Sequence, residues 1–413
     1  MSAKDILFLA HRIPFPPDRG DKIRSHHILR RLARMAPVHV ACFADDQHDM
    51  AEEVELAAMA HSYRLVTRSK PLAVAGMQAL WRRAPISLTA FHDPQLARYV
   101  RDLVDSGRIG AIYVFSGQMG QYVPAGFTGR VVMDFVDVDS AKFDAYALER
   151  SGLMGHAYKR EGRLLRAEEA RLAARADVSL LITEAEAALF RQRLPHDVAA
   201  VADVRVLGNG IDADHFDPMS VRPVGALRDM PGPRFIFTGQ MDYPPNVAAV
   251  LRVAQRILPQ IRRELPEATF HIVGRAPTEE VTALDGRDGV HVWGRVDDIR
   301  QWLRASDIAL VPLEIARGVQ NKVLEAMAME LPVVVSSAAA TGIPAQPGVH
   351  LAVADHDEDL ARLAVALVRD PRRAATMGVT ARRLVVDRQS WQGALMPLAQ
   401  IMAPSAFHPR DDG

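Results

Sequence analysis

The chain has 413 residues, 50 Lys+Arg against 50 Asp+Glu, 49% hydrophobic and 24% charged residues. That is enough for two or three domains of about 100–200 residues each and too apolar for a disordered chain. A formal net charge of zero argues against a nucleic-acid binder, which needs a basic surface. The single cysteine, Cys42, excludes a disulfide framework and an all-cysteine zinc site and points to a reducing compartment. The opening MSAKDILFLAHRIPF has too short an apolar run for a signal peptide, and no stretch approaches the ~18 apolar residues of a membrane span. The expectation is a soluble, cytoplasmic protein.

Short apolar runs alternate with longer amphipathic ones. Ile6–Ala10 and Val38–Phe43 read as the first strands, and between them Arg24–Met35 carries Ile28, Leu29 and Leu32 at helical spacing. Ile112–Phe115, Val131–Met133, Val178–Ile182 and Val204–Leu207 continue the strand series. After the Pro/Gly-rich stretch Pro218–Pro233 it restarts with Phe235–Thr238, Thr269–Val273, Val290–Trp293, Ile308–Val311 and Val333–Val335, and Asp357–Met402 reads as helices. Near-continuous apolar strands with helices between them require parallel sheets covered on both faces. Two Rossmann-like α/β domains are expected, residues 1–205 and residues 206–385.

Open α/β sheets bind ligands beyond the carboxyl ends of their strands. The strict GxGxxG and P-loop patterns are absent, as are GxSxG and HExxH; Gly208–Ala213 matches the looser GxGxxA form without a helix after it. Hydride transfer and P-loop NTPase chemistry are therefore disfavoured. After the first strand, His11–Arg24 is a proline-stiffened loop in which Gly20 allows close backbone approach before a helix opens, with Arg19, Lys22 and Arg24 around it. It reads either as an anion-receptive substrate loop or as a solvated turn. After the strand ending at Pro312, a glycine turn leads into a helix near Gln320; its first-turn amides and Lys322 suit a phosphate, and Glu325, three residues on, suits sugar hydroxyls. The plainer alternative is a surface Lys/Glu pair.

Lys322–Ala328 followed by Leu331–Val334, Val206–Asp212 with Phe216 and Pro218, Val273-Gly274-Arg275, Gly294–Asp298 and Ala305–Asp307 with Val311-Pro312 resemble, in that order, the family 4 glycosyltransferases. The His11–Arg24 segment and Asp134–Ser140 further resemble the sugar transferases associated with exopolysaccharide clusters and the PEP-CTERM/exosortase system. The resemblance implies a GT-B fold, two Rossmann-like domains with parallel sheets facing across a cleft and a C-terminal helix at about 386–403 packing back onto the first. It also implies a retaining, hexosyltransferase-like activity on a nucleoside-diphosphate sugar, with no obligatory metal and no cofactor. By the same resemblance Glu325 binds the nucleotide ribose, and Gly239, Gln240, Asn246, Gly274, Arg295, Gly318, Val319 and Asn321 form the donor site. Gly20, Asp21 and Arg24 are expected at the acceptor, a glycan or a polyprenyl-linked saccharide.

The pattern departs from the family where Arg317 stands in place of the first of two paired glutamates, and where Gln240 and Pro245 stand in place of an Arg and a Lys that hold the diphosphate. Arg317 and Lys322 are expected to take over that charge neutralisation. Glu330 replaces a usual glycine before Leu331-Pro332. Asp137-Val138-Asp139 has three readings: a helix-capping aspartate, a GT-A metal site, or Asp137 or Asp139 as a base or acceptor-orienting group, with Asp137 the candidate catalytic residue. Thr183 reads as the cap of the next helix. Arg150–Arg175, with seven basic residues, reads either as a solvated ion-paired helix or as a peripheral contact with the inner face of the cell membrane. A non-catalytic sugar-nucleotide-binding partner of a polysaccharide assembly complex and a GT-B sugar-nucleotide 2-epimerase remain the alternatives to a transferase.

Overall fold

The computed structural model describes residues 4–68, 70–150, 152–316 and 319–403. The chain divides into two units: the first runs to Asn209 and takes up the chain again from Leu395, and the second is Gly210–Ala394.

The first unit is a seven-stranded sheet built from β1 (Asp5–Ala10), β2 (Val38–Ala44), β3 (Ser62–Thr67), β4 (Ile109–Phe115), β5 (Arg130–Val136), β6 (Val178–Leu181) and β7 (Val204–Val206), in the order β3-β2-β1-β4-β5-β6-β7. All its pairings are parallel. The second unit holds β8 (Arg234–Thr238), β9 (Thr269–Val273), β10 (Val290–Gly294), β11 (Ile308–Val311), β12 (Val333–Val335) and β13 (Ala352–Val353), in the order β10-β9-β8-β11-β12-β13, again parallel. Helices cover the sheets, so the central strands are apolar on both faces. Leu7, Leu9, Ile112 and Val114 belong to one core, and Phe235, Phe237, Phe270 and Leu310 to the other. This is the two-sheet Rossmann-like architecture expected from the sequence.

Two strands were not expected. β3 is an edge strand with no fully buried residue, so it lacks the continuous apolar run that marks its neighbours, and β13 has two residues. The C-terminal helix expected at about 386–403 is not one helix. A π-turn at Val385–Gln389 gives way to an extended Ser390, then to the short helices Trp391–Ala394 and Leu398–Met402. The break at Pro397 follows from its lack of a backbone N–H. The first short helix belongs to the second unit, where Ile211 bridges Ser390 and a Cβ on Gly210 would lie 2.4 Å from the Trp391 backbone. The last lies in the first unit, where Arg130 donates to the Ile401 carbonyl at 2.6 Å. The unit boundaries fall after Asn209 and Ala394, against the expected 205 and 385.

Candidate functional site

Each sheet reverses its strand order once, at β1/β4 and at β8/β11, and the crevice at the carboxyl ends of such strands is where open α/β sheets take ligands. In the second unit that crevice is a pocket of about 510 Å³. Its floor is two glycines. Gly239 ends β8 at φ +152°, and Gly274 ends β9 at φ +158° with a Cβ position 1.6 Å from the Gly239 carbonyl oxygen. The backbones of the two loops therefore touch, which a side chain at 274 forbids.

The helix Asn321–Ala328 enters from the β11 side, and no side chain caps its N-terminus. Lys322 and Glu325 share a face three residues apart, while Val323, Leu324, Ala326 and Met327 anchor the helix in the core. The Lys322 ammonium donates to Asn246 Oδ1 at 2.5 Å and lies 4.6 Å from the centre of the Phe237 ring. Asn246 in turn donates to the Gln240 carbonyl at 2.8 Å. Burial draws Lys322 down to about 8, with Glu325 pulling the other way. Burial likewise pushes Glu325 up to about 6 against the pull of Lys322. This is a desolvated cation and carboxylate in an open pocket, the condition under which each gains most from a charged or hydroxylated ligand.

Gly239, Gln240, Asn246, Gly274, Arg295, Val319, Asn321, Lys322 and Glu325 all line this pocket. Arg317 and Gly318 lie outside the described residues. Arg275, Tyr243 and Ile299 also line it; sequence reasoning gave none of them a role in the site, although Arg275 closes the Val273-Gly274-Arg275 motif. Arg275 follows β9 and donates to Gln240 Oε1 at 2.8 Å, so a cation stands beside the position where the resemblance led one to expect an arginine. The signal was its place directly after Val273-Gly274.

In the first unit the expected acceptor residues do not form one surface. Arg24 is buried. It pairs with Asp134 at 2.9 Å and donates to the carbonyls of Leu207 and Gly208 and to Asn209 Oδ1, at 2.8, 3.2 and 2.9 Å. It is a tie inside the fold, and the expectation of acceptor contact is corrected for this residue. Asp21 receives Arg12 at 2.6 Å and lies 3.3 Å from His11 Nε2. Although burial alone would raise its pKa, bonds to His11 and Arg12 hold it well below the carboxylate range. Arg12, Arg19 and Arg68 converge on Asp45, and Lys22 is buried against Asp49. The basic loop is thus largely internally neutralised. Gly20 alone among the three expected residues is exposed, with open space where a Cβ would stand.

Asp137 follows β5 immediately after Val136, whose φ of +70° is strained for a β-branched residue. Ser116, one residue beyond β4, has φ +77°. Such outliers concentrate where function holds the backbone. Asp137 and Asp139 both pair with Lys142, at 2.9 and 3.2 Å. The capping reading of Asp137 does not hold: the amides of Val138 and Ser140 are met from a distance by Glu186 and Glu169, each at 2.8 Å. Thr183 caps its helix as expected, accepting from the Glu186 amide. Glu330, at the position of the usual glycine, adopts φ +58° just past the helix Asn321–Ala328.

Residues 232–370 match the family described as Glycosyl transferases group 1. That segment is the part of the second unit that holds the pocket. A GDP-mannose-dependent monoacylated alpha-(1-6)-phosphatidylinositol monomannoside mannosyltransferase from Corynebacterium glutamicum is 29% identical over 206 residues, covering 45% of this chain. The match spans about half of that relative, 52% of its length. Among solved structures, Anabaena HepE in complex with UDP aligns over 96% of this chain and 99% of its own, with a TM-score of 0.61 at 16% identity. A glycosyltransferase from Rickettsia africae aligns over 97% and 98%, with a TM-score of 0.59 at 12% identity. At such identities the likeness is one of fold: two Rossmann-like α/β domains of the GT-B type, which leaves no place for the GT-A metal-site reading of Asp137-Val138-Asp139.

Proposed function

We propose that the chain is a retaining glycosyltransferase that moves a sugar from a nucleoside-diphosphate donor to a glycan or lipid-linked saccharide in exopolysaccharide assembly of the PEP-CTERM-associated kind. The observation that carries this reading is the switch-point pocket of the second unit, where Lys322 and Glu325 stand desolvated on one helix face above two touching glycine loops. The mannosyltransferase and UDP-bound relatives support a nucleotide-sugar ligand. In this reading Lys322 and Arg317 stabilise the negative charge that grows on the β-phosphate as the sugar leaves, and Arg275 and Arg295 line the same pocket as Lys322. Glu325 accepts from the ribose hydroxyls. Asp137 orients the acceptor hydroxyl in the first unit, which also carries Gly20 and Asp21.

The test is release of nucleoside diphosphate from UDP-, GDP- and ADP-sugars, with and without a membrane lipid extract. Acceptor-dependent release from one donor is expected. Tight donor binding without turnover would leave a sugar-nucleotide-binding partner instead, and acceptor-free interconversion of the sugar would identify an epimerase.

The two shifted groups fix a pH profile. Above about pH 8 Lys322 loses its proton and its attraction for the diphosphate; below about pH 6 Glu325 gains one and no longer accepts from two hydroxyls. kcat/KM for the donor is therefore expected to be bell-shaped, with limbs near 6 and 8. Lys322→Arg moves the alkaline limb out of range, because guanidinium does not titrate there. An unchanged alkaline limb in that variant would remove Lys322 from the role.

A further inference from the structure

The first unit carries an apolar helix face that no described residue covers. On the helix Leu72–Arg82, Met77, Leu80 and Trp81 are 64%, 65% and 85% exposed. Their spacing of three and four residues puts them on one face. A folded chain rarely leaves a tryptophan this open, since the ring has 150–250 Å² to bury.

Positive charge flanks this face at the helix C-terminus. The helix ends in Arg82 and Arg83, the latter in the left-handed conformation at φ 52°. Both are exposed, and neither has an ion pair among the described residues. Lys70 and His92 sit in the field of Arg82: burial first, and then that guanidinium, lowers the pKa of each. The nearby carboxylate, Asp93, accepts from the amides of Gln95 and Leu96 at 2.8 and 3.0 Å, so its charge is engaged by a helix N-terminus. Arg160 of the long helix Gly152–Arg175 donates to the Ala79 carbonyl at 2.9 Å, and that helix has Met154 and Lys159 exposed.

For that long helix the sequence left open a solvated, ion-paired face or a membrane contact, and the structure spends most of its cations internally. Arg166 donates to the Arg193 carbonyl, Arg171 pairs with Glu168, and Arg175 donates to the Phe127 carbonyl. Among the described residues no helix is long and apolar enough to cross a membrane.

We propose that the face formed by Met77, Leu80 and Trp81, flanked by Arg82 and Arg83, docks on the surface of an anionic phospholipid bilayer. Trp81 and Leu80 enter the headgroup boundary while the two arginines meet the phosphates, the arrangement an interfacial amphipathic helix adopts. Charge complementarity selects lipid over a second copy of the chain, whose same face is equally cationic and would repel it. The inference stands independently of the proposed transferase activity.

The test is flotation of the full chain with vesicles of phosphatidylcholine alone and of phosphatidylcholine with phosphatidylglycerol, read together with tryptophan emission. Binding is expected only to the anionic vesicles, weakening as salt rises, with a blue shift that Trp81→Phe abolishes. Leu80→Ser with Trp81→Ser lowers the partition coefficient by at least about tenfold. Arg82→Gln with Arg83→Gln lowers it by about 25-fold, about fivefold per cation. All four side chains are exposed, so the melting temperature of these variants is expected to match the parent. No binding, equal binding to both vesicle types, or binding indifferent to these substitutions would overturn the proposal. So would concentration-dependent dimerisation through Trp81 without vesicle binding, which would assign the face to a second copy.

Discussion

Arg24→Ala is expected to destabilise the first unit by about 3–5 kcal/mol, the usual cost of removing one partner of a buried ion pair. The reason lies in what is left behind. Asp134 is fully buried, and its Oδ2 accepts from Arg24 and from the Tyr113 hydroxyl at 2.7 Å, while Oδ1 accepts the Val136 amide at 3.1 Å. Without the guanidinium the carboxylate keeps two neutral donors and loses its counter-charge, and the carbonyls of Leu207 and Gly208 lose theirs. At roughly 2–4 °C per kcal/mol for a unit of this size, the melting transition drops by roughly 6–20 °C in calorimetry. An acceptor-binding arginine would behave otherwise: turnover would fall with the melting point unchanged. Arg24→Ala with Asp134→Asn is expected to recover part of the loss, because it removes the orphaned charge.

Gly274→Ala is expected to weaken donor binding on the order of 100-fold while Gly225→Ala, in the same unit, leaves it intact. At 274 the added carbon would lie 1.6 Å from the Gly239 oxygen and 2.7 Å from its carbonyl carbon, backbone atoms that cannot swing aside. The ends of β8 and β9 must part, carrying Gln240 and Arg275 with them, and a displacement of about 1 Å in a positioned site costs on the order of 100-fold. Gly239→Ala is milder. Its nearest neighbours are the Asn246 amide at 2.8 Å and the Lys322 Cε and Nζ at 3.3 Å, ends of side chains that can move. Titration of UDP and GDP into the three variants checks the ranking, and equal affinities for the 274 and 225 variants would contradict it.

The strands legible in the sequence were those buried on both faces, because burial forces an unbroken apolar run: Thr269–Val273 and Ile308–Val311 were read to the residue. β3 was not, since an edge strand alternates toward solvent and its Arg64 and Thr67 are exposed. The pocket proposed for the donor was legible as one cluster of residues because its parts are local. A glycine at a strand end, or a Lys and a Glu three apart on a short helix, states its geometry within a few residues. Arg24 was misread for the opposite reason: its partners, Asp134 and Leu207 to Asn209, lie more than a hundred residues away, so a buried clamp looked like one more cation in a basic loop. Arg275 carried no periodic signal, and only the closing of β9 against β8 brings it to Gln240.

The most direct test of the central claim, that the second unit's pocket holds a nucleoside diphosphate on Lys322 and Glu325, is calorimetric titration of UDP and GDP into the parent chain, Lys322→Ala and Glu325→Gln. One nucleotide is expected to bind at a single site. Lys322→Ala weakens it about 10- to 150-fold, the 1.5–3 kcal/mol of a hydrogen bond to a charged group, and Glu325→Gln weakens it through the ribose. Binding of neither nucleotide to the parent chain, or binding that both substitutions leave unchanged, would contradict the account.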